Sequence, residues 1–276
     1  MNSQLVEADE RLATVFSHFY SVQLDKSEPA IQQQLLPNYE LLLIVNFGPD
    51  VPFSLGDNHH TIHQTAVLGP LQKMLTYTLP PGADVIVVNF TLNGFYRLLG
   101  VPMQQLKPGE LYDPDILLDK SCFQDLWSQL SGMQKQEDRL ELLTDYALTF
   151  VKPSEAGALS LLDSVNYFKN LALDPVKLLA QTNQVSTRRI QTHFQTYLGY
   201  SAKELSRFLR FKKVLHFLYQ QPPTTIDWHD LVLTFGYYDH SHLIKDFTYF
   251  LGISPRKFLK QIATGGVCIS KSGKFY

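Results

Sequence analysis

Cysteine is almost absent from this chain. Its 276 residues hold two, Cys122 and Cys268, far apart in sequence. Such a pair makes neither a disulfide framework nor a zinc motif, and it suits a reducing compartment. Long apolar runs are missing as well. The longest, Leu41 to Val45, falls far short of the ~20 residues that cross a bilayer, so no membrane association is expected. The segment Met1 to Arg11 is polar and acidic, unlike a signal peptide, and the cytoplasm is the expected compartment. No glycine-rich phosphate loop occurs, and Gly94 to Gly100 does not match one. Charged residues make up only 18 % of the chain against 45 % apolar residues, which excludes a disordered chain and leaves ample material for a core.

The net charge of -2 hides an asymmetry. Residues 1–152 carry 9 basic and 18 acidic side chains, a net of -9; residues 174–262 carry 12 and 6, a net of +6. A basic C-terminal block behind an acidic one suggests that one half binds a polyanion and the other does not.

The first half reads mostly as β-structure. Glu40 to Phe47 is an apolar segment ending in the turn cluster Asn46-Phe47-Gly48-Pro49-Asp50. Lys73 to Leu79 alternates and meets Pro80-Pro81-Gly82; Asp84 to Thr91 is a further strand candidate. Short strands between Gly/Pro turns suggest an antiparallel sandwich or barrel. The polar stretch Leu55 to Thr65 is read as a loop. From about Ser121 the spacing turns helical, with Phe123, Leu126, Trp127 and Leu130, then Leu140, Leu143, Tyr146, Ala147 and Phe150. Pro153 to Gly157 breaks that pattern and marks a boundary.

An internal repeat lies beyond it. At a shift of 53 residues, Phe194 falls on Phe247, Leu198 on Leu251, Gly199 on Gly252 and Ser201 on Ser254. Each copy parses as helix, tight turn, helix. In the first, Val176, Leu179 and Ala180 face inward, Gln184-Val185 turns, Ser186 caps the next helix, Ile190 and Phe194 are buried, and Gly199 stops it. In the second, the same parts are Trp228, Leu231 and Val232, then Gly236, Asp239, Leu243 with Phe247, and Gly252. Ser254-Pro255 starts one more helix. The outward residues of each second helix are left for base edges.

These residues resemble a known family. Leu179-Ala180, Ser186 to Gln191, Phe194 and Leu198 to Ser201 resemble the first half of the AraC/XylS-type regulator domain. The run Phe235-Gly236-Tyr237-Tyr238-Asp239-His240-Ser241-His242-Leu243, with Phe247 and Phe250 to Pro255, resembles its second half. The resemblance implies a seven-helix domain with two helix-turn-helix units joined by a long helix, acting in transcription control, most often activation. The first half, through Leu43 to Gly48, Gly69-Pro70, Pro81-Gly82, Val88 to Phe90 and Asn93 to Gly100, is similar to the β-rich, cupin-like sensor regions of one branch. Thr192, Ala202, Val232 and His240 depart from the residues usual in the family.

The expected organisation is therefore α+β. A β-rich sensor domain with trailing helices covers 1–152, a linker 153–158, an all-α double helix-turn-helix domain of about seven helices 159–262, and a flexible tail 263–276. Arg188, Gln191 and Thr192 in unit one, and His240, Ser241, His242 and Lys245 in unit two, are the candidates for base readout, since arginine pairs with guanine and glutamine with adenine. Ile244 shares that outward face. Thr187, Arg189, Arg207, Arg210, Lys212 and Lys213 are candidates for phosphate, with RNA polymerase an alternative for the last four. Promoter DNA, RNA polymerase and a small-molecule effector are the expected partners of a monomer or homodimer. No cofactor, metal or catalytic residue is expected. One alternative is a cupin-type metal enzyme using His59, His60 or His63. Another makes the first half a dimerisation or docking module alone.

Overall fold

The computed structural model describes residues 1–151, 174–221 and 226–263. The boundary and linker expected at 153–158, and the tail after 263, lie outside them.

Among the described residues, ten strands form two antiparallel sheets. They are β1 Asn2–Glu7, β2 Phe16–Gln23, β3 Ile31–Leu35, β4 Leu42–Asn46, β5 Val51–Leu55, β6 Asn58–Ile62, β7 Thr65–Leu68, β8 Leu75–Leu79, β9 Asp84–Phe90 and β10 Leu111–Tyr112. The larger sheet runs β1-β2-β9-β4-β7-β10 and the smaller β3-β8-β5-β6. Alternation sorts the side chains of the larger sheet. Val85, Leu42 and Ile44 face the smaller sheet. Ile86, Val88, Phe90 and Leu43 face the other way, onto helices. Both faces are covered, so β4 and β9 read as nearly unbroken apolar runs.

Four helices follow: α1 Gly94–Leu99, α2 Pro114–Leu118, α3 Cys122–Ser131 and α4 Gln136–Phe150. Asp115 caps α3 from the preceding helix, its carboxylate accepting from the backbone N–H of Phe123 at 2.7 Å and Gln124 at 2.9 Å. Phe123, Leu126 and Leu130 of α3, with Leu143 and Ala147 of α4, close over the larger sheet. The helical reading from Ser121 onward is what forms.

The polar stretch Leu55 to Thr65 is not a loop. It closes a hairpin in which Phe53 pairs with His60 and Leu55 with Asn58. The smaller sheet has one face in solvent, so β6 needs few apolar residues, and its Asn-His-His-Thr sequence hides it.

Six helices are described in the C-terminal part: α5 Pro175–Thr182, α6 Thr187–His193, α7 Ala202–Gln220, α8 Trp228–Thr234, α9 His240–Leu251 and α10 Pro255–Ala263. A π-helical turn, Phe194–Leu198, extends α6. Ser201 and Glu204 form a reciprocal capping box at the start of α7.

The β-rich and helical parts share one core. Leu36, Tyr39 and Leu92 pack in the cluster that holds Phe194, Tyr200, Phe208 and Phe250. The Tyr39 ring is stacked on Tyr200 at 4.3 Å and on Phe208 at 3.8 Å. The Tyr200 hydroxyl donates to the Tyr39 carbonyl at 2.5 Å. On the second unit, Met74 N–H donates to the Phe250 carbonyl at 3.0 Å.

Candidate nucleic-acid interface

Unit one is α5 and α6. Asp174 caps α5, accepting from the backbone N–H of Val176 and Lys177, with Pro175 at the first helical position. Gln184 turns the chain at a φ of 53°, one of two positive-φ non-glycine residues among those described. Ser186 Oγ then accepts from Arg189 N–H at 3.3 Å, as its position in the repeat predicts. Ile190 and Phe194 are fully buried and pin α6 to the core. That leaves Thr187, Arg188, Arg189, Gln191 and Thr192 exposed. The Thr192 hydroxyl donates to the Arg188 carbonyl at 3.1 Å and so lies back on its own helix.

The π-helical turn ends at Gly199, whose φ of 79° suits glycine. A Cβ there would also sit 3.2 Å from the Met103 carbonyl oxygen of the β-rich part. Two demands meet at one residue: reversal of the chain and close approach of the two parts.

Unit two is α8 and α9. Asp227 caps α8 through the backbone N–H of His229 and Asp230. Leu231 and Val232 face the core. Asp239 Oδ1 accepts from His242 N–H at 2.7 Å, which is the cap expected of it. Leu243 and Phe247 are buried; His240, Ser241, Ile244 and Lys245 are exposed. His242 is half-buried, packed edge-on to the Tyr237 ring at 5.0 Å.

The linking helix α7 departs from expectation. Arg207 and Lys212, expected at phosphate, are turned to the protein. Arg207 Nε lies 2.7 Å from Asp246 Oδ1, and its guanidinium stacks 4.3 Å over the Tyr249 ring. Lys212 Nζ is shut from solvent, 5.5 Å over the Phe208 ring. Burial lowers its pKa to about 8, with the nearby Glu40 charge acting the other way. The cause is geometric. Inside a shared core, α7 is packed on more than one side, so the Lys212 ammonium is enclosed, while Arg207, its side chain 38 % exposed, is drawn onto Asp246 and Tyr249 at the edge of that core. Arg210 is part-exposed, 5.5 Å over the Tyr237 ring, and Lys213 is part-exposed.

Two residues were not singled out by sequence. Asp246 is 1 % exposed and joins Arg207 to the Tyr237 hydroxyl, the latter at 3.1 Å. Its place three residues after Leu243, on the inward stripe of α9, was the available signal. Tyr238 is 92 % exposed in the turn before α9.

The histidines of the metal alternative lie on and beside β6. His60 stacks on Phe53 at 5.0 Å, and His63 Nδ1 meets Asp50 Oδ2 at 2.9 Å. Among the described residues, no group of three or more His, Cys, Asp or Glu is placed to hold a metal ion. No described helix is long and apolar enough to cross a membrane.

Residues 179–261 match the family described as a helix-turn-helix domain. The chain carries an AraC-type helix-turn-helix domain. It is thereby a DNA-binding transcription regulator. The match spans both units of that AraC-type domain, from Leu179 inside α5 to Gln261 inside α10. Residues 4–111 match a domain of unknown function, DUF6597. No curated protein sequence matches the chain. Among solved structures, ToxT from Vibrio cholerae aligns over 94 % of this chain and 98 % of its own, at 10 % identity and a TM-score of 0.46. The AraC-like transcriptional activator CuxR aligns over 76 % of this chain and 86 % of its own, at 9 % identity and a TM-score of 0.29.

Proposed function

We propose that this regulator is an activator that reads promoter DNA with both helix-turn-helix units and answers to a small molecule taken up by its N-terminal part. Residues 1–152 are the regulatory domain and 159–262 the DNA-binding one. RNA polymerase is its partner at the promoter, and the cytoplasm is where it works. One observation carries the reading. Two capped helices, repeated at a 53-residue spacing, each bury an apolar pair and turn a polar face outward.

Arg188 and Gln191 read bases from unit one, and Lys245 with His240 and Ser241 reads from unit two. Thr192 and His242 contribute at the edges of those faces. Thr187, Arg189, Arg210 and Lys213 serve phosphate. Ile244, 47 % exposed among these polar residues, suits the methyl group of thymine.

A gel-shift titration on upstream fragments from the source organism, at several salt concentrations, tests this. Selective binding to a few fragments is expected, weakening steeply as salt rises. Arg188→Ala combined with Gln191→Ala and Lys245→Ala should erase the selectivity, each lost bidentate contact costing about 1–3 kcal/mol. Equal binding to every fragment would refute the reading.

A further inference from the structure

A cavity of about 190 Å³ lies between the two sheets. Its walls are almost wholly aliphatic and aromatic, from Val22, Leu42 and Ile44 on the larger sheet to Phe53, Leu75 and Leu79 on the smaller. No Lys, Arg, Asp or Glu lines it; the polar side chains are His18, Tyr20, Tyr77 and Asn89. Tyr77 and His18 are already engaged, Tyr77 donating to Gln33 Oε1 at 2.6 Å and His18 Nδ1 meeting the Ser17 hydroxyl at 3.0 Å.

His18 and Asn89 are cross-strand partners on β2 and β9, so both reach the cavity from one spot on one wall. They are 4 % and 5 % exposed. The Asn89 backbone carbonyl accepts from the Ser17 hydroxyl at 3.3 Å. Its side-chain amide has no hydrogen-bond partner among the described residues. An amide aimed into an apolar cavity is costly unless something there bonds to it. Burying two aliphatic side chains instead would be the cheaper way to fill the wall.

Size and lining narrow the ligand. A cavity of about 150 Å³ lined by aliphatic and aromatic side chains holds a benzene molecule. The present one therefore takes a single ring with a small substituent or two. A carboxylate or ammonium would be stranded there without a counter-charge. We propose that the cavity binds a neutral, one-ring or similarly compact apolar molecule with one hydrogen-bonding group, held by the Asn89 amide beside the His18 ring. The inference rests on the small-molecule response proposed above and names the class of that effector.

The test uses the purified full-length chain without DNA, so its result is independent of any gel shift. Calorimetric titrations with p-cresol, toluene and benzoate are compared. Saturable binding of p-cresol, about tenfold or more tighter than either of the others, is expected. Asn89→Leu should weaken p-cresol about tenfold and leave toluene within about twofold, a contrast that a misfolded protein cannot produce. Val87→Phe, which fills the cavity from β9, should remove binding of both while the melting transition persists. No saturable binding of p-cresol, or benzoate binding as tightly as p-cresol, overturns the proposal. So does an Asn89→Leu protein that binds p-cresol as before. DNA binding that fails while p-cresol still binds would count against the regulator reading alone.

Discussion

Lys212 shows how one side chain registers the whole arrangement. Its ammonium is shut from water against the Phe208 ring, which Tyr39 covers from the other part of the chain. Unfolded, it holds its proton up to its ordinary value of 10.5; folded, only to about 8. Between those values the unfolded chain binds more protons, so stability rises with pH. The gain is at most about 3 kcal/mol. The tyrosines act in the opposite sense. Burial raises Tyr39, Tyr200 and Tyr237 above the ordinary 10.0. Above that value the unfolded chain gives up phenol protons that the folded one keeps, and stability falls. Urea midpoints should therefore climb from pH 8 toward 10 and then turn down. Lys212→Met should remove the climb and leave the fall. A flat wild-type profile from pH 8 to 10 would contradict this account.

At the scale of elements, two strand-end segments connect the parts. Leu35 ends β3 and Leu75 begins β8, and the two pair with each other on the wall of the cavity. Just beyond them, Asn38 and Leu71 exchange backbone hydrogen bonds of 2.9 and 2.7 Å. One segment then sends Tyr39 between Tyr200 and Phe208, and the other sends Met74 to the C-terminal end of α9. Truncating Tyr39 should cost about 3–5 kcal/mol, the usual range for a large buried side chain. It should also uncouple the parts. Trp127 lies in one and Trp228 in the other, so Trp228→Phe and Trp127→Phe proteins report each by fluorescence. Their urea midpoints should coincide, and separate once Tyr39→Ala is added. Midpoints that stay together at the wild-type value would argue that the shared core is not what joins them. None of this contact was legible in the sequence, because Tyr39 is followed by Glu40 and looks like the polar start of a strand. The strands β4 and β9 were legible, since burial on both faces demands apolar residues throughout. The strand β2 was not. Ser17, His18 and Ser21 are buried there and break the pattern. The helix-turn-helix units were the most legible elements. Ser186, Asp239, Gly199 and Gly252 each perform a backbone task that few other residues can. What the repeat could not reveal was the pairing of Arg207 with buried Asp246 and the enclosure of the Lys212 ammonium, since a charged residue in a helical stripe reads as solvated until its neighbours are known.

For the molecule as a whole, the proposed function requires both reading faces to meet one duplex. Each face is short, and neither α6 nor α9 offers more than a few exposed side chains to base edges. Two such readers in successive major grooves on one side of DNA would lie about 34 Å, roughly ten base pairs, apart. The shared core favours this geometry, because Tyr39 and Met74, from segments bonded to each other, hold both units to one body. Hydroxyl-radical footprinting of a selected fragment should thus give two protected patches about one helical turn apart on the same face. Arg188→Ala with Gln191→Ala should fade one patch and leave the other; Lys245→Ala with His240→Ala should do the reverse. A single protected patch, or variants that dim both patches equally, would mean that the units do not read neighbouring grooves. The repeat would then have a structural purpose in one of its two copies.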